Sequence, residues 1–249
     1  MKQIITLLSL FFALQAYAQD TMYVAQKFGG VIKVPVKNID SIYFYKPFHN
    51  TGTVTDIDGN IYKTVTIANK VWMAENLRVT KFNDGTAIPR VTQSSSWNSL
   101  TTPAYTGFRN STHPDTILPY GNMYNWYTVD TKKVCPTGWH VFTNAEWDAM
   151  IATLGPKSTA GNILKATGTK YWQAPNDKAT NAVEFNALPS GYMYNYGSFQ
   201  GLGTFAYWWS ATEINTADAS SMYVYDASTA VNQYDGTKTN GLSIRCVKD

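Results

Sequence analysis

The stretch Thr143-Asn144-Ala145-Glu146-Trp147-Asp148-Ala149-Met150-Ile151-Ala152-Thr153-Leu154-Gly155-Pro156 decides the fold class. Thr143 and Glu146 have the spacing of a capping box, in which the hydroxyl and the carboxylate each satisfy the other residue's free backbone N–H. Trp147, Met150, Ile151 and Leu154 follow at i, i+3, i+4 and i+7, one apolar stripe along a helix. Gly155-Pro156 stops it. A second, shorter helix is expected over residues 160–166.

Outside these helices the pattern is β. Residues 53–57 and 61–67 alternate around Asp58-Gly59-Asn60, a hairpin signal. A second turn at Ala68-Asn69-Lys70 leads into Val71-Trp72-Met73. Strands are expected at 207–212, 221–226, 230–233 and 241–248. Residues 82–120 carry Pro89, Pro103, Pro114 and Pro119 and no sustained period, so they are expected to form long ordered loops with short pieces of structure. A clear helix among strands predicts an α+β domain.

At the N-terminus, Lys2 precedes an apolar run, Ile4 to Leu14, and Ala16-Tyr17-Ala18 places small residues before a cut at Gln19. This is the layout of a signal peptide over residues 1–18. The run is shorter than the roughly 20 residues a membrane span needs. Residues 19–46 follow as a short β unit: two strand-like runs flank Phe28-Gly29-Gly30, and Ile39–Tyr45 reads as a third. Residues 47–52 are a linker, and 53–249 the main domain. The expected location is therefore exported: periplasm, cell surface or outside.

Composition agrees with export and excludes some partners. Charged residues are only 15% of the chain, against about a quarter in an average globular protein. The formal net charge is +3 with no basic run, which argues against a nucleic-acid partner. Two cysteines, Cys135 and Cys246, make a disulfide the first reading in an oxidising compartment, with two buried thiols as the alternative.

Several strings together resemble a known family. They are Asp58-Gly59-Asn60-Ile61-Tyr62-Lys63-Thr64-Val65, Val71-Trp72-Met73-Ala74-Glu75-Asn76-Leu77, Tyr120-Gly121-Asn122-Met123-Tyr124-Asn125-Trp126-Tyr127 and Cys135-Pro136-Thr137-Gly138-Trp139-His140-Val141. Further on come Glu184-Phe185-Asn186-Ala187-Leu188-Pro189-Ser190-Gly191-Tyr192, Tyr207-Trp208-Trp209-Ser210-Ala211-Thr212 and Ser243-Ile244-Arg245-Cys246-Val247-Lys248-Asp249. Over residues 53–249 the chain resembles the Fibrobacter succinogenes major paralogous domain, common in exported proteins of Bacteroidota and Fibrobacteres. The resemblance implies a C-type-lectin-like or formylglycine-generating-enzyme-like fold: small twisted sheets, two helices and much ordered loop. It implies no established activity. Phe142 stands where the family more often has Pro, and Thr106 where many members have Cys. The latter departure leaves only Cys135 and Cys246, consistent with a bond between them.

Catalysis finds little support. The three histidines, His49, His113 and His140, have no nucleophile beside them in sequence. A metal site needs three or four ligands at suitable spacing, and none accompany His140. His140 is expected to pack just ahead of the helix. The formylglycine-generating enzymes need a close pair of cysteines, and this chain lacks one. Asp56-Ile57-Asp58-Gly59-Asn60 resembles the start of a calcium loop, but the turn explains the same residues. No cofactor is expected, with calcium the one alternative.

The aromatic stretch from Tyr192 to Trp209 carries the binding hypothesis. Tyr192, Tyr194 and Tyr196 alternate and would share one strand face. With Trp208 they are the candidate binding residues. The alternative places the tryptophans in the core and the tyrosines at its rim. The chain is expected to be a non-enzymatic binding or adhesion module for a glycan or a surface protein. The rivals are a carbohydrate-active enzyme using carboxylates such as Glu75, Asp84 or Glu213, or a fimbrial or matrix subunit. Two facing carboxylates would favour the enzyme; a flat aromatic patch would favour the binder.

Overall fold

The computed structural model describes residues 21–25, 31–38 and 50–249. The leader, the third strand-like run at 39–45 and His49 lie outside them. The chain divides into two compact units, Met1–Lys46 and Pro47–Asp249. In the first, β1 (Thr21–Ala25) and β2 (Val31–Pro35) pair antiparallel, as the two flanking runs predict, and a 3-10 turn follows at Val36–Asn38.

The second unit holds two five-stranded sheets. The first comprises β3 (Asn50–Thr55), β4 (Ile61–Ile67), β5 (Lys70–Met73), β8 (Trp139–Val141) and β14 (Cys246–Lys248), in the order β3-β4-β5-β14-β8. Asn50 to Gly52, expected in the linker, already belong to β3. The β3–β4 turn forms because Asp56 Oδ1 accepts from the N–H groups of Asp58 and Asn60, and Gly59 takes φ +83°. The β4–β5 turn has Ala68 and Asn69 both at positive φ, the two-residue hairpin that matches strand twist.

The loop-rich region and the residues just after it yield a small ladder, β6 (Tyr105–Thr106) with β7 (Met123–Tyr124), and three short helices. These are α1 (Ser94–Asn98), α2 (Pro114–Tyr120) and α3 (Trp126–Asp130). The predicted helix is α4 (Asn144–Leu154), with both capping-box bonds present and Trp147, Met150 and Ile151 buried. The next, α5, spans Lys157–Leu164 rather than 160–166. It starts directly after Pro156 and ends where Lys165 turns extended to bridge Ala187.

The second sheet comprises β9 (Ser190–Met193), β10 (Phe199–Leu202), β11 (Phe205–Glu213), β12 (Asp218–Tyr225) and β13 (Asn232–Thr237), in the order β10-β9-β11-β12-β13. The predicted strand over 241–248 is realised only in part. Gly241 bridges Met193, Leu242 bridges Tyr124 and Ser243 bridges Trp208 before β14 enters the first sheet. This segment therefore stitches the two sheets together. The Cys135–Cys246 disulfide pins it at β14. The main core draws Val65 and Trp72 from the first sheet, Trp147, Met150 and Leu164 from the helices, and Trp208, Met222 and Val224 from the second sheet. The result is an α+β domain, richer in sheet than in helix.

Candidate functional site

Several residues of the strings that carry the family resemblance meet in the interior. Asn76 is buried and uses its whole carboxamide: Oδ1 accepts from Trp208 Nε1 and from Arg245 Nε, both at 2.9 Å. Its Nδ2 donates to the Tyr120 carbonyl at 2.9 Å and to Ser243 Oγ at 3.3 Å. Ser243 Oγ in turn meets Ser190 Oγ at 3.0 Å. Arg245, 1% exposed, also donates to the carbonyls of Phe185 and Asn186 and lies over the Phe185 ring at 4.2 Å. Burial lowers its pKa to about 9, only partly offset by the charge of Glu75. These groups join both sheets through one satisfied polar network.

Trp208 belongs to this interior. It is 0% exposed and cannot face a ligand, so the core alternative holds for it. The reason is the two-residue period of β11: Trp208 points to the side opposite Phe205 and Tyr207. Trp209 returns to their side, yet it is covered there and donates to the Tyr124 carbonyl at 2.8 Å.

The tyrosines do the reverse. Phe205 and Tyr207 of β11 lie opposite Tyr225 and Tyr223 of β12 in the register, and their rings stack at 5.5 and 4.6 Å. Tyr192 of β9 meets Tyr207 edge-on at 5.0 Å, and Tyr234 of β13 meets it edge-on at 6.4 Å. Tyr192 also touches Tyr194 at 5.0 Å, and Tyr194 stacks on Tyr196 at 5.2 Å. Tyr196 and Tyr234 are 57% and 47% exposed; the other rings are half-buried. The outer side of the second sheet is thus a continuous aromatic face.

Tyr192, Tyr194 and Tyr196 all join this face, though not by strand alternation. β9 ends at Met193, and Tyr194 opens a turn in which its N–H donates to the Ser198 carbonyl. Tyr223, Tyr225 and Tyr234 complete the face from strands outside the Tyr192–Trp209 stretch. The alternation Tyr223-Val224-Tyr225 was the available signal, since Val224 is core and its neighbours must face the other way. Burial, then the hydrogen bond and neighbouring rings, raise the Tyr192 phenol well above its ordinary pKa; burial does the same for Tyr207. Both stay protonated donors across the physiological range. Lys165 is buried, and its Nζ donates to the carbonyls of Tyr225, Asp226 and Ser228, fixing the turn at the end of β12.

The candidate carboxylates are dispersed among separate partners. Glu75 accepts from the Lys63 N–H at 2.6 Å and lies 3.8 Å from Arg78. Asp84 pairs with Lys133 at 2.9 Å, and the Thr86 N–H with that lysine holds its pKa down at about 2. Glu213 pairs with Lys238, which lies over the Trp126 ring at 4.7 Å. In the turn that resembles a calcium loop, Asp56 Oδ2 accepts from Asn60 Nδ2 at 2.8 Å and Tyr62 Oη at 2.6 Å. Asp58 Oδ2 accepts from the Thr80 N–H and hydroxyl at 2.6 and 2.8 Å. Among the described residues no group of three or more His, Cys, Asp or Glu side chains gathers as a metal site.

His140 lies half-buried just ahead of α4, with Nδ1 2.5 Å from Asp249 and Nε2 2.9 Å from Glu146. Glu146 also meets Lys70 at 2.8 Å, so His140 belongs to an ionic cluster around the start of α4. His113 caps α2 by accepting from the Asp115 N–H at 3.3 Å.

These contacts define the class: an α+β domain of two sheets stitched by their own C-terminal segment around a hydrogen-bonded polar core. The chain belongs to the Fibrobacter succinogenes major domain family, whose profile matches residues 65–248. Comparison with curated proteins and with solved structures found no match. Among the described residues no helix is long and apolar enough to cross a membrane.

Proposed function

We propose that this chain is an exported, non-enzymatic binding module that takes a glycan on the tyrosine face of its second sheet. One observation carries the proposal. On the second sheet the large aromatics are sorted, with Trp208 and Trp209 inside and a continuous set of tyrosine-rich rings left at the surface. Tyrosine supplies amphipathic contact area with few torsions to freeze, which suits recognition surfaces. An apolar patch kept at a surface marks an interaction site.

Export rests on the leader layout of residues 1–18 and on the Cys135–Cys246 disulfide, which suits an oxidising compartment. The fold is read as C-type-lectin-like and formylglycine-generating-enzyme-like, supported by the capped helix α4 and by the terminal strand β14 lying inside the first sheet. Binding is favoured over hydrolysis because Glu75, Asp84 and Glu213 each have a separate basic partner, whereas a glycosidase acid needs a raised pKa.

The test is a glycan array probed with the exported chain and with Tyr196→Ala. Wild type should retain at least one glycan, and the variant should lose about tenfold in affinity, the equivalent of about 1.4 kcal/mol. Its melting temperature should barely move, because substitutions at exposed positions cost within about 0.5 kcal/mol. No glycan retained, or equal retention by both proteins, refutes the proposal.

A further inference from the structure

The ring geometry restricts the ligand further, and this inference rests on the binding proposal above. We infer that the face takes an extended, uncharged oligosaccharide lying across the strands. The contacts run crosswise: Tyr192 of β9 to Tyr207 of β11 at 5.0 Å, then to Tyr223 of β12 at 4.6 Å, with Tyr234 of β13 reaching Tyr207 at 6.4 Å. From β9 to β13 there are three inter-strand steps, a width of about 14 Å at about 4.8 Å per step. A linked pyranose unit is about as long as one such step, so the width suits a short chain of sugars rather than one.

Orientation separates the roles of the rings. Tyr207 and Tyr223 lie at 19° to each other, and Phe205 and Tyr225 at 23°, so each central ring spends a face on its neighbour. What these rings offer outward is edges and phenol hydroxyls. Open ring faces belong to the margins: Tyr196, stacked on Tyr194 at 12°, and Tyr234, which meets Tyr207 at 78°. Stacking surfaces at the margins and hydrogen-bonding hydroxyls between them match linked sugar rings, whose apolar faces alternate with hydroxyl edges.

Charge selects among glycans. On the five strands the charged residues are Glu213, which is paired with Lys238, and Asp218 and Asp235, which alternate to the side opposite Tyr223 and Tyr234. On β13 the one acid beside Tyr234 is Asp235, which alternates to the other side of the strand and accepts from Gln233 Nε2. No unpaired charge of these strands lies among the rings to neutralise a uronate or a sulfate or to pair with an amine. An uncharged ligand alone avoids stranding a charge against the rings.

The experiment is calorimetric titration of the mature chain with neutral β-1,4-linked gluco- and xylo-oligosaccharides, monomer to hexamer, and with an oligouronate series, at low and high salt. Tyr196→Ala and Tyr234→Ala are titrated in parallel. Affinity for a neutral series should rise at least tenfold from monomer to tetramer, ignore salt, and fall about tenfold in either variant. Monomer binding as tight as hexamer overturns the extended ligand while leaving the binding face intact. Salt-sensitive preference for the uronates overturns the uncharged ligand alone. Neutral-sugar binding unchanged in both variants overturns this inference and the binding face together. Failure of every saccharide to bind overturns the inference, and a protein ligand lost in both variants would then preserve the face with a different occupant.

Discussion

Replacing Asn76 by Ala should be among the most damaging single substitutions in the domain, although Asn76 touches no surface. The side chain is the meeting point of four hydrogen bonds, from Trp208 and Arg245 and to Tyr120 and Ser243. Ser243 keeps Ser190 as a partner, and Arg245 keeps its two carbonyls. Two donors are stranded outright, the Trp208 indole N–H and the Arg245 Nε–H, both fully buried, and the half-buried Tyr120 carbonyl loses its side-chain donor. A stranded buried neutral donor costs about 1–3 kcal/mol and a charged one more, so the total is about 4–6 kcal/mol. A domain has only about 5–15 kcal/mol to lose. Equilibrium urea unfolding followed by tryptophan fluorescence measures the change, with an unchanged m-value required for the comparison. Trp208→Phe removes one stranded donor in advance, so the double variant should cost about 1–2 kcal/mol less than the sum of the singles. A loss below about 1 kcal/mol for Asn76→Ala, or strict additivity with Trp208→Phe, would refute the network as a source of stability.

Other outcomes follow from the same contacts. Thr143→Ala, which removes the α4 cap, should cost about 1 kcal/mol in urea unfolding. Trp147→Ala should cost about 3–5 kcal/mol because the indole is buried among Trp72, Phe142, Phe185 and Trp208; equal small effects would mean that α4 does not pack as described. Mass spectrometry of exported, unreduced protein should find Cys135 and Cys246 joined. Since the bond spans 111 positions, its loss should destabilise the domain by up to about 4–5 kcal/mol, and full alkylation without reduction would contradict it. Burial alone would raise the Glu146 pKa, but hydrogen bonds from Lys70, Thr143 and His140 hold it at about 2, below its ordinary 4.5. A depressed folded pKa gives stability that is full above the unfolded value and is lost as pH falls from about 4.5 through about 2. Glu146→Gln should therefore flatten the stability curve in that window and nowhere else; an unchanged acid limb would count against the ionic cluster.

Local chemistry made several elements legible in advance. The α4 cap and stripe, the Asp58-Gly59 turn and the hairpin at Ala68-Asn69 are decided within a few residues by hydrogen bonding and φ preference. The α5 boundaries differ from the expected 160–166 because they come from Pro156 and from the pairing of Lys165 with Ala187, a residue more than twenty positions on. The sequence by itself determined the α+β class, the family, the long loop region and the pool of aromatics from which a site could be made. It also showed that β11 has two faces, because a strand alternates whatever surrounds it. Only the tertiary structure decided which face is which. Core packing and Asn76 enclose Trp208, while Tyr207 finds Tyr223, Tyr192 and Tyr234 on strands distant in the chain. A period of two assigns side chains to opposite sides, but burial is set by what the rest of the chain lays over each side. That covering is a long-range property, and on the second sheet it turned Trp208 and Trp209 inward and left Tyr192, Tyr207, Tyr223 and Tyr225 outward.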